Sequence, residues 1–222
     1  MTSKIFDLED IGSGAFGSVK KMIPLDKADT KPKVLKLYQN QNISDNKKQQ
    51  KAYDSMLKEC NAILDIFGTN NYLLSKEFKG CIFVDENNVG LVLNQLSPFN
   101  LQSLEQLDFY QVCFHLLEQL KVINDAKYYH GDLSLDNLLI QDNLLKIVDF
   151  GNAKNVNIKP SFAKAVNVAP EMTYQYIFEP PYDKIDVFAC GLLFLQFLTK
   201  KEKIFEEIMG EELDRINVET FF

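Results

Sequence analysis

The chain has little of the residue types that build metal and disulfide sites. Its 222 residues include no tryptophan, two histidines and four cysteines. The cysteines, Cys60, Cys81, Cys113 and Cys190, lie far apart with no CxxC pair. This spacing indicates neither a zinc site nor a disulfide framework, and we expect reduced thiols.

Positive charge is also in short supply, with 24 basic against 31 acidic residues and a net charge of −7. This balance argues against a general affinity for nucleic acid or for an anionic membrane. Arg215 is the only arginine. Because arginine is the usual bidentate partner of phosphate groups, the chain has few means of binding a phosphorylated side chain.

Long apolar runs are missing as well. The most apolar stretch, residues 189–198, is about half as long as the roughly 20 residues that a membrane-spanning helix needs, and we interpret it as a buried core helix. The first twenty residues contain no apolar run typical of a secretory signal. We therefore expect a cytoplasmic chain with no membrane partner. A hydrophobic content of 46% is sufficient for a packed core.

The first part of the chain has the pattern of a sheet with one helix. A helical period predicts a helix over residues 45–67, with Ser44 as N-cap and Gly68 as the stop. Alternating apolar and polar residues predict strands over residues 5–11, 17–24, 33–38, 78–85 and 89–93.

The pattern changes after Ser97 and Pro98, where helical periods dominate. The longest predicted helix covers residues 107–126, and short strands are predicted over residues 138–140 and 145–148. We predict an α+β fold in one domain with three parts: residues 1–94, a connection at 95–98, and residues 99–222.

Three glycines, Gly12, Gly14 and Gly17, interrupt the first two strands with the spacing GxGxxG. Such glycines occur in dinucleotide folds, in phosphate-covering hairpins and in ordinary turns. A dinucleotide site requires a helix after the glycines, whereas Ser18 to Lys21 continue as strand. The pattern therefore favours a hairpin that approaches phosphate groups.

Lys36 lies in the apolar strand Val34-Leu35-Lys36-Leu37, where the alternation directs it inward with Val34. A charge there requires a partner, and Glu59 of the following helix is the predicted one. An ammonium held in this way could contact nucleotide phosphates. The alternative is an unrelated surface lysine and surface glutamate.

The stretch HGDLSLDN at residues 130–137 carries a carboxylate, Asp132, and an amide, Asn137, five residues apart. Asp132 is suited to orient an incoming hydroxyl in phosphoryl transfer. Asp149, twelve residues after Asn137, follows an apolar strand in the triplet Asp-Phe-Gly. Amide and carboxylate oxygens are magnesium ligands, so Asn137 and Asp149 are predicted to hold this ion.

The order of these motifs resembles the protein kinase superfamily over about residues 5–200, and it continues through Ala169-Pro170-Glu171 and residues 186–191. The resemblance implies a two-lobed fold with a five-stranded antiparallel sheet and one helix in the N-lobe, and a mainly helical C-lobe. It also implies that ATP binds between the lobes with Mg²⁺. The chain ends at Phe222, from which we expect a shortened C-lobe.

Carried over by position, the resemblance assigns the catalytic roles to Lys36, Glu59, Asp132, Asn137 and Asp149. Leu93 becomes the gatekeeper beside adenine, and Asp186 a buried ligand of the catalytic-loop backbone; His130 is interpreted as structural. The implied ATP-binding residues are Ile11, Gly12, Gly14, Gly17, Val19, Val34, Lys36, Leu93, Asn94, Leu96 and Leu139.

The chain departs from the family pattern at two positions of this loop. Gly131 replaces the arginine that normally binds an activation-segment phosphate, and Ser161 is the only hydroxyl residue between Phe150 and Pro170. Activity is therefore predicted not to require activation-segment phosphorylation. Separately, Ser134 replaces the lysine usual in serine/threonine kinases, and the loss of this charge lowers the expected turnover.

Three functions fit these observations. The leading one is a protein kinase acting on serine or threonine of a protein substrate. The alternatives are a pseudokinase that serves as a nucleotide-binding or scaffolding module, and a kinase-like enzyme acting on a small molecule. Arg215 is the predicted partner of Glu171, and exposure of Phe221 and Phe222 would favour a protein partner or a homodimer.

Overall fold

A computed structural model describes residues 6–14, 17–24, 32–39, 46–75, 82–84, 88–105, 108–159 and 180–202. The chain divides into two compact units. One comprises Met1–Leu96 with Asp149–Gly151, and the other comprises Ser97–Val148 with Asn152–Phe222. The first boundary between the units falls within the predicted connection at residues 95–98. The domain limits themselves stay a prediction.

The first unit is built on an antiparallel sheet in the order β1-β2-β3-β5-β4. The strands are β1 (Phe6–Gly14), β2 (Gly17–Pro24), β3 (Lys33–Gln39), β4 (Ile82–Val84) and β5 (Asn88–Asn94). The predicted antiparallel sheet is confirmed. The strand count for the complete unit stays a prediction, because residues 76–81 and 85–87 lie outside the described part of the chain.

Helix α1 (Asn46–Phe67) contacts β3 and β5 of this sheet. Met56, Cys60 and Ile63 are buried on it, because residues three and four apart share one face of a helix. The helix ends as predicted at Gly68, whose N–H donates to the Leu64 carbonyl at 2.8 Å. Its predicted N-cap, Ser44, lies outside the described residues.

The second unit contains helix α2 (Phe109–Asp125) and the short strands β6 (Ser97–Pro98), β7 (Tyr128–Tyr129), β8 (Leu138–Gln141), β9 (Leu144–Ile147) and β10 (Lys154–Asn155). Three of these strands form a small antiparallel sheet in the order β6-β8-β9, and β7 pairs with β10. Helix α2 contacts the small sheet through β9.

Two predicted limits in this unit are corrected. Helix α2 starts after Asp108 rather than at residue 107, because the Asp108 carboxylate accepts the Gln111 N–H at 3.0 Å as an N-cap. Strand β9 ends at Ile147 instead of Val148. The Val148 N–H still donates to the Asn137 carbonyl at 2.9 Å, in register with the β8–β9 ladder, but the Asn137 N–H donates instead to the Ser134 carbonyl at 3.1 Å and leaves this pair open.

Helix α3 (Ile185–Thr199) contacts α2 and is apolar on nearly all sides. One face is buried and includes Leu193 and Phe197, the latter in edge contact with Phe99 at 5.7 Å between ring centroids. Val187 and Leu198 on the other face are 60% and 65% exposed, so the predicted core helix is buried on one side. No helix in the described ranges is long and apolar enough to cross a membrane.

Candidate active site

Lys36 and Glu59 form a buried ion pair in the first unit. The Lys36 ammonium donates to Glu59 Oε1 at 3.0 Å and to Oε2 at 2.7 Å. Strand β3 supplies the lysine and helix α1 the glutamate, and their side chains are 8% and 2% exposed. The structure therefore brings together the lysine and the glutamate predicted from the sequence.

Asp149 completes this cluster within the same unit. Its Oδ1 accepts from the Lys36 ammonium at 2.8 Å and from the Gly151 N–H at 3.3 Å, and its backbone is left-handed, with φ of 63°. Burial alone would lower the pKa of Lys36, but the negative charges of Glu59 and Asp149 outweigh burial and raise it. The ammonium therefore remains charged between two carboxylates.

Tyr38 belongs to this cluster and was missed from the sequence. Its hydroxyl donates to Glu59 Oε2, and its ring centroid lies 5.5 Å from Lys36 Nζ. Burial, followed by the charge of Glu59, raises the pKa of the Tyr38 hydroxyl well above its usual value. The available signal was position, because residues two apart on a strand share a face.

The strand register places three of the predicted nucleotide residues, Val19, Val34 and Leu93, on the face that carries Lys36. Val19 pairs with Lys36 across β2 and β3, and Val34 pairs with Leu93 across β3 and β5. Directly paired residues in antiparallel strands have side chains on the same face. Ile11 is exposed, at the irregularity between Asp10 and Gly12 in the register of β1 and β2.

The glycine hairpin pairs Gly14 with Gly17, and residues 15 and 16 between them lie outside the described part. Gly17 has φ of 141°, and a Cβ there would lie 1.7 Å from the Leu37 carbonyl oxygen. Glycine at this position is therefore required by the close approach of β2 to β3, whatever ligand the hairpin covers.

The predicted adenine-binding backbone at Asn94–Leu96 is already partly engaged. The Asn94 N–H donates to the Leu73 carbonyl at 2.8 Å, and the Gln95 N–H donates to the Pro32 carbonyl at 3.0 Å. A backbone donor for a ligand therefore falls to Leu96, the last residue of the first unit in this part of the chain.

The loop His130–Asn137 in the second unit is held by Asp186 of helix α3. The Asp186 carboxylate accepts the His130 N–H at 2.6 Å and the Gly131 N–H at 2.9 Å, which confirms the predicted backbone contact. The fully buried His130 accepts at Nδ1 from the Asp132 N–H at 3.3 Å. Its Nε2 therefore carries the proton and donates to the Val148 carbonyl at 3.0 Å, and the histidine is structural.

Asp132 is positioned by two amide side chains of the same unit. Asn137 Nδ2 donates to the Asp132 carbonyl at 2.7 Å, and Asn152 Nδ2 donates to Asp132 Oδ2 at 3.3 Å. Asn152 was missed from the sequence, although it directly follows the Asp-Phe-Gly triplet. Leu139, one of the predicted ATP-binding residues, is half-buried in β8 of this unit.

A family comparison agrees with this geometry. Residues 6–221 match the family model described as "Protein kinase domain". The chain belongs to the protein kinase family. The kinase motifs predicted from the sequence thus lie within a match that covers almost the whole chain.

Curated relatives of the chain include kinases named for different acceptor residues. Cyclin-dependent kinase F-4 of Oryza sativa subsp. japonica is 24% identical over 86% of the chain and 41% of its own length. A protein of Acanthamoeba polyphaga mimivirus named as a serine/threonine-protein kinase, L673, is 25% identical over 96% of the chain and 38% of its length. Tyrosine-protein kinase SYK of Gallus gallus is 25% identical over 95% of the chain and 35% of its length. The chain thus spans about two fifths of the length of the curated relatives that it matches.

The donor chemistry of Asn137 and Asp149 fits a magnesium ion. Because Asn137 Nδ2 is engaged by the Asp132 carbonyl, its amide oxygen is the atom suited to ligate a cation, and Asp149 offers a carboxylate. Among the described residues, no group of three or more histidine, cysteine, aspartate or glutamate side chains is arranged to hold a metal.

Gly131, which stands where the family has arginine, adopts a left-handed backbone with φ of 75°. A Cβ there would lie 3.0 Å from the Tyr129 ring and 3.3 Å from the Asn152 carbonyl oxygen. The backbone conformation at this position therefore favours the glycine of this chain over the arginine of the family. Four further predicted features, Ser161, the Glu171 and Arg215 pair, Phe221 and Phe222, lie outside the described residues.

Proposed function

We propose that this kinase domain transfers the γ-phosphate of ATP to a hydroxyl group of a protein substrate. The observation that carries the proposal is the buried Lys36 ammonium, which Glu59 and Asp149 hold at 2.7 to 3.0 Å. A buried charge is costly unless it is paired. A cation held ready between a helix and a strand is suited to bind phosphate oxygens.

Each predicted catalytic residue has a role in this proposal. Lys36 binds the α- and β-phosphates, and Glu59 orients Lys36. Asp132, oriented through Asn152 and Asn137, accepts a hydrogen bond from the acceptor hydroxyl and directs it toward the γ-phosphate. Asn137 and Asp149 would hold magnesium, which would supply positive charge beside the transferring phosphate.

The adenine ring is proposed to pack on the sheet face that carries Val19, Val34 and Leu93, which the register places together. Leu96 contributes a backbone contact and Leu139 an apolar one. The remaining proposed ATP-binding residues are Asn94, which would contribute its carbonyl, and Ile11, Gly12, Gly14 and Gly17 of the hairpin.

Serine or threonine is the proposed acceptor. Asp136 occupies one position at which tyrosine kinases carry an arginine, and serine/threonine kinases are the larger group of the superfamily. The relatives named above include a serine/threonine-protein kinase and a tyrosine-protein kinase, so the preference rests on this residue and on the sizes of the two groups. A protein partner or a homodimer in the C-terminal part stays a prediction.

The test is a transfer assay with the purified chain, labelled ATP, magnesium and generic protein substrates. We expect labelled protein, with phosphoserine or phosphothreonine after hydrolysis. Asp149→Asn is the matched control, because it removes one charge and keeps the size of the side chain, and it should abolish the label. Phosphotyrosine as the product would contradict the acceptor assignment.

The same assay separates the proposal from a scaffolding role. Wild type should bind Mg-ATP, measured as a thermal shift of the protein, as well as transfer phosphate. Binding without Asp149-dependent transfer would favour a pseudokinase instead. Transfer by protein that carries no phosphate on residue 161, verified by mass spectrometry, would support activity without activation-segment phosphorylation.

A further inference from the structure

Tyr38 is the uncharged member of the Lys36 cluster. As whole residues, Tyr38 is 3% exposed and Glu59, which accepts its hydrogen bond, is 1% exposed. The Tyr38 hydroxyl and the Lys36 ammonium both donate to Glu59 Oε2. Lys36 and Tyr38, two residues apart on the same face of β3, therefore both donate to one carboxylate of helix α1.

The two donors differ in what else they bind. The Lys36 ammonium also donates to Asp149 Oδ1 at 2.8 Å, and in the proposed function it has to contact phosphate oxygens. The Tyr38 hydroxyl carries no charge and has a single proton to donate. Tyr38 therefore holds Glu59 with a hydrogen bond that does not compete for the phosphate contacts of Lys36.

We propose that Tyr38 is a positioning residue for ATP phosphate binding, acting through Glu59 on Lys36. This inference rests on the proposed function, because it assumes that Lys36 binds ATP. With Tyr38 in place, Glu59 keeps one fixed orientation while Lys36 turns toward phosphate oxygens. Without the hydroxyl, the buried Glu59 Oε2 loses a donor, and the carboxylate draws more strongly on Lys36.

A purely structural role predicts a different kinetic result. A destabilised enzyme has fewer folded molecules, which lowers the apparent kcat but leaves KM unchanged, since KM does not depend on the number of active molecules. A positioning role changes the affinity of each folded molecule for ATP. The Michaelis constant for ATP therefore separates the two roles.

The experiment compares wild type with Tyr38→Phe, which keeps the ring and removes only the hydroxyl. We expect KM for ATP and the dissociation constant of Mg-ATP to rise about tenfold, the order of effect of one hydrogen bond to a charged group. The KM for the protein substrate should change less than about twofold, because Tyr38 is proposed to act on ATP alone.

Two further variants identify the path of the effect. Tyr72→Phe removes another buried phenol of the first unit, whose pKa burial raises, and it should leave KM for ATP unchanged. In a Glu59→Gln background, adding Tyr38→Phe should raise KM for ATP no further, because the residue through which Tyr38 acts has lost its charge.

An unchanged KM for ATP in Tyr38→Phe would overturn the inference, and so would full additivity with Glu59→Gln. Failure of the proposed function gives a separate result, since wild type would then neither bind Mg-ATP nor transfer phosphate. Because KM and the dissociation constant are measured on folded molecules, a lower yield of Tyr38→Phe would not imitate the expected result.

Discussion

Gly131 shows how one residue changes both local structure and expected regulation. Its backbone is left-handed, with φ of 75°, and its N–H donates to the Asp186 carboxylate at 2.9 Å. The Tyr129 ring occupies the space beside it, and the Tyr129 hydroxyl donates to the Ile158 carbonyl at 3.0 Å. The segment after the Asp-Phe-Gly triplet is thus anchored by a tyrosine.

We predict that Gly131→Ala destabilises the protein by about 2 kcal/mol. Left-handed backbone costs a non-glycine residue roughly 1–2 kcal/mol, and the new Cβ would crowd the Tyr129 ring at 3.0 Å. Urea unfolding measures the difference.

Gly191→Ala in helix α3 is the matched control, since no atom lies within 4 Å of its Cβ position. Alanine there should stabilise the helix by up to about 1 kcal/mol. Equal effects of the two substitutions would contradict the assignment of strain to Gly131.

Among the elements, strand β9 shows how a side chain can replace a missing neighbouring strand. It is the last strand in the order β6-β8-β9, so its outer backbone groups need other partners. Gln119 of α2 supplies them: its Nε2 donates to the Leu145 carbonyl at 2.7 Å, and its Oε1 accepts the Ile147 N–H at 2.9 Å. The helix is thereby joined to the strand that precedes Asp149.

We predict that Gln119→Leu lowers the free energy of unfolding by about 3 kcal/mol. The substitution keeps a similar side-chain volume but removes the two hydrogen bonds between Gln119 and the β9 backbone. Each buried backbone group left unsatisfied costs about 1–3 kcal/mol. The melting temperature and urea unfolding measure the loss.

Gln111→Leu tests the same chemical change at an exposed position of the same helix. Its effect should stay within about 0.5 kcal/mol, as is typical of surface substitutions. A Gln119→Leu protein as stable as the Gln111→Leu protein would show that the amide contacts to β9 contribute nothing.

At the scale of the whole molecule, burial raises the pKa values of three thiols among the described residues. Burial, with smaller effects of Cys113 and Asp186, raises the pKa of the Cys190 thiol from 9.0 to about 12. Burial also raises the pKa values of Cys60 and Cys113. Each of these thiols keeps its proton to higher pH in the folded state than in the unfolded state.

This shift predicts that the protein loses stability as the pH rises from about 9 to about 12. In that range the unfolded chain releases thiol protons that the folded chain retains, so unfolding becomes more favourable. The contribution is fully present below pH 9. Lys154, whose pKa burial lowers, acts in the opposite direction. Urea midpoints measured at increasing pH give the slope.

Cys190→Ala is the control for this alkaline loss, and it should make the decline of stability with pH shallower. Stability that stayed level or increased between pH 9 and pH 12 would contradict the prediction. A wild-type slope equal to that of Cys190→Ala would assign the loss to other groups.

Much of the site was predictable because its residues obey local rules. Lys36 in an apolar strand required a charged partner, and Glu59 in the next helix was the expected one. Asp132 and Asn137 lie five residues apart in one loop motif, so their proximity follows directly from the sequence. Strand and helix positions were predicted to within a few residues, with the corrections at Asp108 and Val148 set by single hydrogen bonds.

Tyr38, Asn152 and Gln119 could not be assigned in this way, because a neutral hydroxyl or amide is acceptable in many environments. Their roles depend on which acceptor or donor lies within about 3 Å, and chain segments distant in sequence set that distance. The motif order and the charges needing partners follow from the amino-acid sequence alone. The Tyr38 phenol bonded to Glu59, the left-handed Gly131 and the amide along β9 follow from packing, since each depends on a contact with a segment distant in sequence.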